Sequence, residues 1–184
     1  MGDDLLITLR LFGTAVDYLG EASDAMIRGL RGGISGYGSL TLLGRDLLII
    51  EGCPEIPQSD TLELDFVTPV LLRQQDQAHL HPQSLLQSLA VRVVGMATYC
   101  GVAATKDHEG IRATIPMIQA AWADVEDVAW KRLSKPQKRR IPMEGAMGRL
   151  LLSGSHLAEI SDLLSIGSLV HVGSRTAWGL GRYN

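Results

Sequence analysis

Leu169-Val-His-Val-Gly173-Ser-Arg175-Thr-Ala-Trp178-Gly179-Leu-Gly181-Arg182-Tyr183 is the most informative stretch of the chain. Glycines here let the main chain approach a ligand and present N–H groups to an anion, and Arg175 and Arg182 add positive charge. The spacing is not a dinucleotide fingerprint, and Gly-Lys-Ser/Thr of a phosphate-binding P-loop is missing. A tight connection in which glycines serve only turn geometry is the plain alternative. The same pattern occurs earlier. Phe12-Gly13 leads into a helical pattern and then Gly36-Tyr-Gly38-Ser-Leu, as Ser153-Gly154 leads into a helical pattern and then Gly179-Leu-Gly181-Arg-Tyr. The glycine-to-glycine spans are 23 residues (13 to 36) and 25 residues (154 to 179).

A strand, a glycine, a helix and a Gly-x-Gly strand, twice in the same order, point to tandem split βαβ units of ferredoxin-like type. The expected class is α+β, with two ferredoxin-like domains of which the first is incomplete. Alternation predicts a strand over Leu5–Phe12, helical spacing a helix over Ala15–Leu30, and two apolar runs about Gly44-Arg-Asp a hairpin over Tyr37–Ile50. Gly52 to Asp60, with two prolines, reads as a linker, so the domains are expected at residues 1–52 and 61–184. Leu62, Leu64 and Phe66 alternate with Glu63 and Asp65 in a half-buried strand, and Pro82 opens a helix with a broad apolar face up to Tyr99. A short helix is expected over Ile111–Ala121, and strands over Val125–Leu133 and Met147–Leu152. Ser155 is expected to cap a helix through Leu164, followed by strands at Leu169–Val172 and Arg182–Tyr183.

The 184 residues are 46% hydrophobic and 20% charged, which excludes disordered and collagen-like classes. Two cysteines, Cys53 and Cys100, are too few for a disulfide framework or a cysteine-rich zinc site, which favours a reducing, cytoplasmic setting. No apolar run approaches the roughly 20 residues of a membrane span, and the start Met1-Gly-Asp-Asp is not a signal peptide. Net charge of −3 conceals a gradient: residues 1–60 hold nine acids and four bases, 61–130 eight and four, and 131–184 three and nine. Lys131, Arg132, Lys135, Lys138, Arg139 and Arg140 place six cations in ten residues. Such a run is either a solvated basic loop or a phosphate-contact surface.

Val170 to Tyr183 resembles the terminal glycine-rich loop of the CRISPR-associated repeat-RNA-processing endoribonucleases of the RAMP superfamily. Asp65-Phe-Val-Thr-Pro-Val-Leu-Leu is similar to the opening strand of that family's second domain. Trp130 to Gly148 resembles its basic stretch and glycine strand, and Leu11-Phe-Gly-Thr-Ala the late part of its first domain. Gly173-Ser-Arg-Thr has one glycine fewer than the Gly-Lys-Gly-Thr of many relatives, with its cation one position later. The resemblance implies that the chain begins at the third strand of the first domain, before which many members carry their catalytic histidine.

It further implies cleavage of CRISPR repeat RNA without metal or other cofactor: a base takes the proton of a 2'-hydroxyl, which attacks the adjacent phosphate. Expected RNA contacts are Lys131, Arg132, Lys135, Lys138, Arg139, Arg140, Gly173, Arg175, Gly179, Gly181 and Arg182. No catalytic base maps directly, and His171, beside the glycine loop, is the candidate. His79 and His81 lack carboxylates or thiols nearby for a metal site. His108 and His156 read as surface residues, and Trp130 and Trp178 as packed rings or stacking platforms. Effector-complex proteins and a second copy are further possible partners. The competing readings are a non-catalytic RNA-binding module and an interaction domain that pairs through an exposed sheet edge.

Overall fold

The computed structural model describes residues 7–32, 42–44, 46, 56, 59–72, 81–99, 108–134 and 137–184. Two compact units are present: residues 1–51 with 97–103, and residues 52–96 with 104–184. In the first, a 3-10 turn at Gly13–Tyr18 runs into helix α1, Leu19–Arg31, which stops at Gly32. Arg28 and Arg31 in its last turn complement the helix dipole. Ile7–Phe12 have no regular structure, where alternation predicts a strand, and the expected hairpin over 37–50 falls largely outside the described residues.

The second unit begins with strand β1, Thr61–Val70, followed by helix α2, Pro82–Tyr99, which belongs to it up to Met96, and helix α3, His108–Thr114. Strand β2, Gln119–Ser134, and strand β3, Arg139–Ser153, then form a long antiparallel hairpin. A 3-10 turn at Leu157–Ile160 leads into helix α4, Ser161–Val170, and the chain returns to the sheet. The sheet order is β1-β3-β2, all antiparallel. Residues 182–184 join the free side of β1: Asp65 and Asn184 exchange backbone hydrogen bonds of 3.1 and 3.0 Å, and Phe66 bridges Tyr183. A strand, helix, two strands, helix and terminal strand, with the last beside the first, is the ferredoxin-like arrangement.

Burial explains the order. Leu64 and Phe66 of β1, Leu150 and Leu152 of β3, and Leu85, Leu86 and Leu89 of α2 are all buried, with Leu163 and Leu164 of α4. In α2 the buried positions 85, 86, 89, 90 and 93 follow one helical stripe, while Val91 is exposed. Each such leucine removed from water contributes roughly 1.5–3 kcal/mol. The rings of Trp122 and Tyr183 each sit 5.5 Å from Phe66 in tilted contact. The Tyr183 hydroxyl donates to the Leu164 carbonyl at 2.6 Å. Gly167 makes this possible, since a β-carbon there would lie 2.0 Å from the Tyr183 oxygen and 2.7 Å from Leu89.

β2 carries one irregularity: Trp122 pairs with Leu150 and Asp124 with Arg149, so Ala123 is an extra residue. Opposite it Gly148 adopts φ +146, and a β-carbon there would meet the Asp124 carbonyl at 2.0 Å. Asp124 turns to the other sheet face, where both carboxylate oxygens accept from Arg149 at 2.8–3.0 Å, and Glu63 accepts a longer bond of 3.3 Å. These bonds hold the Asp124 carboxyl below its ordinary range.

Four further expectations are corrected. The helix predicted over Ile111–Ala121 begins earlier and stops at Thr114, because Pro116 forces a 3-10 turn before Gln119 enters the sheet. Leu169–Val172 is not a strand: Leu169 and Val170 finish α4, and His171 leaves it with φ 64. The basic stretch is not a loop between short strands, because β2 reaches Ser134 and β3 starts at Arg139. Ser155 makes no capping bond to the last helix. Among the described residues no helix is long and apolar enough to cross a membrane.

Candidate nucleic-acid interface

The hairpin fixes its cations by strand alternation. Lys131 pairs with Pro142, Arg132 with Ile141, Leu133 with Arg140 and Ser134 with Arg139. Side chains of directly opposed residues share a face, and the face alternates along the strand. Arg132 and Arg139 therefore belong to one side of the hairpin, with Trp130 and Met143. Lys131 and Arg140 belong to the other. Lys138 sits in the turn with φ 47, and the Arg139 guanidinium donates to Gln137 Oε1 at 3.0 Å. Lys135 lies outside the described residues.

The glycine-rich loop reaches the first side. After His171, Val172 is buried, Gly173 has φ 85 and Arg175 is left-handed with φ 60. Thr176–Trp178 make one 3-10 turn, closed by Gly179 at φ 82. This presents Trp178 to solvent, 48% exposed. The Arg132 guanidinium carbon lies 3.8 Å from its ring centroid and that of Arg175 5.3 Å, while Arg175 Nη1 also touches the Met143 sulfur. Each stack is a cation–π attraction. Two like charges at one exposed indole also raise the local positive potential, which an anion relieves.

Some of the loop's amides are spent on the fold. Val172 donates to Gly181, Ser174 to Leu71, Trp178 to Arg175, Gly179 to Thr176 and Gly181 to Pro69, at 2.7–2.9 Å. Thr68 locks the second half: its hydroxyl donates to the Gly179 carbonyl at 2.8 Å and accepts from the Arg182 amide at 2.9 Å. Gly173 and Gly181 permit close backbone passage, since a β-carbon on Gly181 would lie 1.8 Å from the Val172 carbonyl and one on Gly173 2.4 Å from Leu71. Positive charge here comes from the Arg132 and Arg175 side chains, beside loop amides such as those of Gly173, Thr176 and Ala177 that make no backbone bond among the described residues. Nothing in the sequence marks Thr68 for this bridging, nor Met143 for its contact with Arg175.

The histidines disperse. His171 caps α4 at the loop entrance, half-buried, with its amide bonded to Gly167 at 2.8 Å. His156 Nδ1 is 2.8 Å from Glu159 at the surface. His81 is exposed and ends the approach to α2, His108 starts α3, and His79 lies outside the described residues. Near the loop, Arg92 of α2 donates to the Val170 carbonyl at 2.8 Å, and its partial burial lowers the guanidinium pKa. Among the described residues no three His, Cys, Asp or Glu side chains gather as a metal site.

Comparison with curated proteins gives no match. Among solved structures, a Cas6 product complex is similar over 70% of this chain and 52% of that one, with 15% identity and a TM-score of 0.52. Cas6 of Thermus thermophilus matches 69% of this chain and 53% of its own length, at 15% identity and a TM-score of 0.44. A partial Cas6-RT-Cas1–Cas2 complex matches 69% of this chain and 22% of its own, at 18% identity and a TM-score of 0.46. The chain thus spans about half the length of the first two. At such identities the likeness concerns the fold, and the first match agrees with the ferredoxin-like topology above. The family model of CRISPR-associated endoribonuclease Cas6 aligns with residues 64–183, from the middle of β1 to Tyr183. This chain belongs to the Cas6 family of CRISPR-associated endoribonucleases.

Proposed function

We propose that this protein binds CRISPR repeat RNA on the surface formed by Trp178, Arg132, Arg175 and Arg139, and cleaves it by 2'-hydroxyl attack on the adjacent phosphate. The observation that carries the reading is the convergence of Arg132 and Arg175 on one exposed tryptophan. A base stacked on the indole sets its phosphates beside two guanidinium groups, each able to hold two phosphate oxygens. In the reaction the attacking 2'-oxygen loses its proton to a base as it bonds to phosphorus, and the 5'-oxygen leaves with a proton supplied in turn. Negative charge grows on the non-bridging oxygens at that moment, where fixed guanidinium groups stabilise it. His171, at the loop entrance, is the first candidate for the base.

The test is incubation of the chain with end-labelled hairpin repeat RNA in the presence of a chelator, resolving bound from cleaved species. One cleavage site with a cyclic-phosphate end, lost in His171→Ala with binding retained, supports the full reading. Binding without cleavage makes the protein an RNA-holding module. No binding to hairpin repeat RNA sinks the surface assignment as well.

A further inference from the structure

Among the described residues no other strand pairs with the outer edge of β2. From Asp124 to Ser134 the strand pairs in unbroken register with β3 on one side, and among the described residues no backbone group bonds its other side. Asp124, Val125, Glu126, Asp127, Ala129, Lys131 and Arg132 are exposed along it. So long a free edge is a template for another strand unless charge or curvature blunts it. Its charges are arranged in a way that selects one partner.

We propose that this edge pairs antiparallel with the same edge of a second copy, about a two-fold axis at Ala129. The segment Glu126-Asp127-Val128-Ala129-Trp130-Lys131-Arg132 is complementary to its own reverse. Centred on Ala129, Asp127 of one copy faces Lys131 of the other, Glu126 faces Arg132, and Val128 faces Trp130. Each pair occurs twice by symmetry, and each is of a kind that stabilises antiparallel strands.

Backbone geometry makes the register selective. Alternate residues of a strand turn their N–H and C=O groups to opposite edges, so two copies of one strand can pair only about an axis through a residue, never between two. An axis through Asp127 sets two carboxylates face to face. One through Val128 places Glu126 against Trp130 and Asp127 against Ala129, and one through Trp130 leaves Glu126 and Asp127 without a cation opposite. Ala129 alone matches both acids to bases. The product is a continuous sheet across two copies, in which Asp127 and Lys131 meet on the hairpin side away from Trp178, while Glu126 meets Arg132 on the Trp178 side and there competes with the phosphate of the proposed RNA surface.

The experiment is sedimentation of the full chain over a range of concentrations and salt, with Asp127→Lys, Lys131→Asp and their double exchange. A dimer that weakens with salt is expected. Each single exchange sets like charges opposite twice over, and should raise the dissociation constant on the order of tenfold or more. The double exchange should restore it. An equimolar mixture of the two single variants should form a mixed dimer, a result that also shows both variants folded. Independently, Ala129→Cys, with Cys53 and Cys100 changed to Ser, should couple to itself through a short bis-thiol crosslinker. A monomer at every concentration overturns the proposal, and so does a dimer that neither single exchange weakens, a mixture that fails to recombine, or an Ala129→Cys protein that gives no crosslinked dimer.

Discussion

The guanidinium carbon of Arg132, two residues before the end of β2, stands 3.8 Å from the ring centroid of Trp178. This stack joins the basic hairpin to the glycine-rich loop. The two partners contribute differently to RNA binding, and that difference can be measured.

Replacing Arg132 with Gln removes a phosphate contact, so the slope of log affinity against log salt should flatten by about 0.7–0.9. Trp178→Ala should leave the slope unchanged and weaken binding by roughly 5- to 100-fold, the worth of one stacked base. Because half of the Trp178 ring is packed and it carries both cation–π contacts, its loss should also lower the thermal unfolding midpoint, so the RNA measurements are made well below that temperature. Fluorescence anisotropy with labelled repeat RNA at several salt concentrations separates the two.

Neighbouring arginines should also behave unequally. The register sets Arg139 on the Trp178 side of the hairpin and Arg140 on the opposite side. Arg139→Gln is expected to flatten the salt dependence as Arg132→Gln does, whereas Arg140→Gln should leave it close to wild type. Equal effects of the two would place the RNA on the hairpin tip as a whole.

Two glycines two residues apart should differ in stability. At Gly179 nothing lies within 4 Å of an added β-carbon, so Gly179→Ala faces only the strain of φ 82, about 1–2 kcal/mol. Gly181→Ala adds to similar strain a collision with the Val172 carbonyl, and should cost about 3 kcal/mol or more. Denaturant unfolding of both variants tests this.

Burial at the Leu164 carbonyl raises the Tyr183 phenol well above its usual value of 10.0. Below about pH 10 the phenol is protonated in both folded and unfolded chains, and its contribution to stability is complete. As pH rises further only the unfolded chain releases the proton, so stability falls by up to about 1.4 kcal/mol per pH unit. Tyr183→Phe should cost about 1 kcal/mol at neutral pH for the lost hydrogen bond, and should abolish this share of the alkaline decline. Denaturation of both proteins between pH 8 and 11 gives the comparison.

How much of this was legible in the sequence depended on whether local pattern or tertiary contact decides. β1 and α2 were readable because Leu64, Phe66 and the Leu85–Leu89 stripe follow the period of their own element. Leu169–Val172 was not, since a short apolar run fits the end of a buried helix as well as a strand, and packing of Gly167 against Leu89 settles it. The hairpin's true length was hidden by its exposure: a strand edged by solvent carries charge where a pattern reader expects a loop. Cations, glycines and tryptophan of the site could all be named from sequence, but not their sorting. That Arg132 meets Trp178 while Lys131 turns away depends on the pairing of β2 with β3, and on Thr68 holding a loop more than a hundred residues distant.

Ala123 acts as a phase shifter within β2. Trp122 and Asp124, two apart, would share a face in an even strand, yet one packs on Phe66 and the other bonds Arg149 on the opposite side. The strand is thereby divided into a stem whose phase is set by the core and a tip whose phase is set by its own turn. Residue pairs can be added or lost at the tip without rotating Trp122 out of the core, so the reach of the cationic hairpin is free to vary while the scaffold beneath it stays constant.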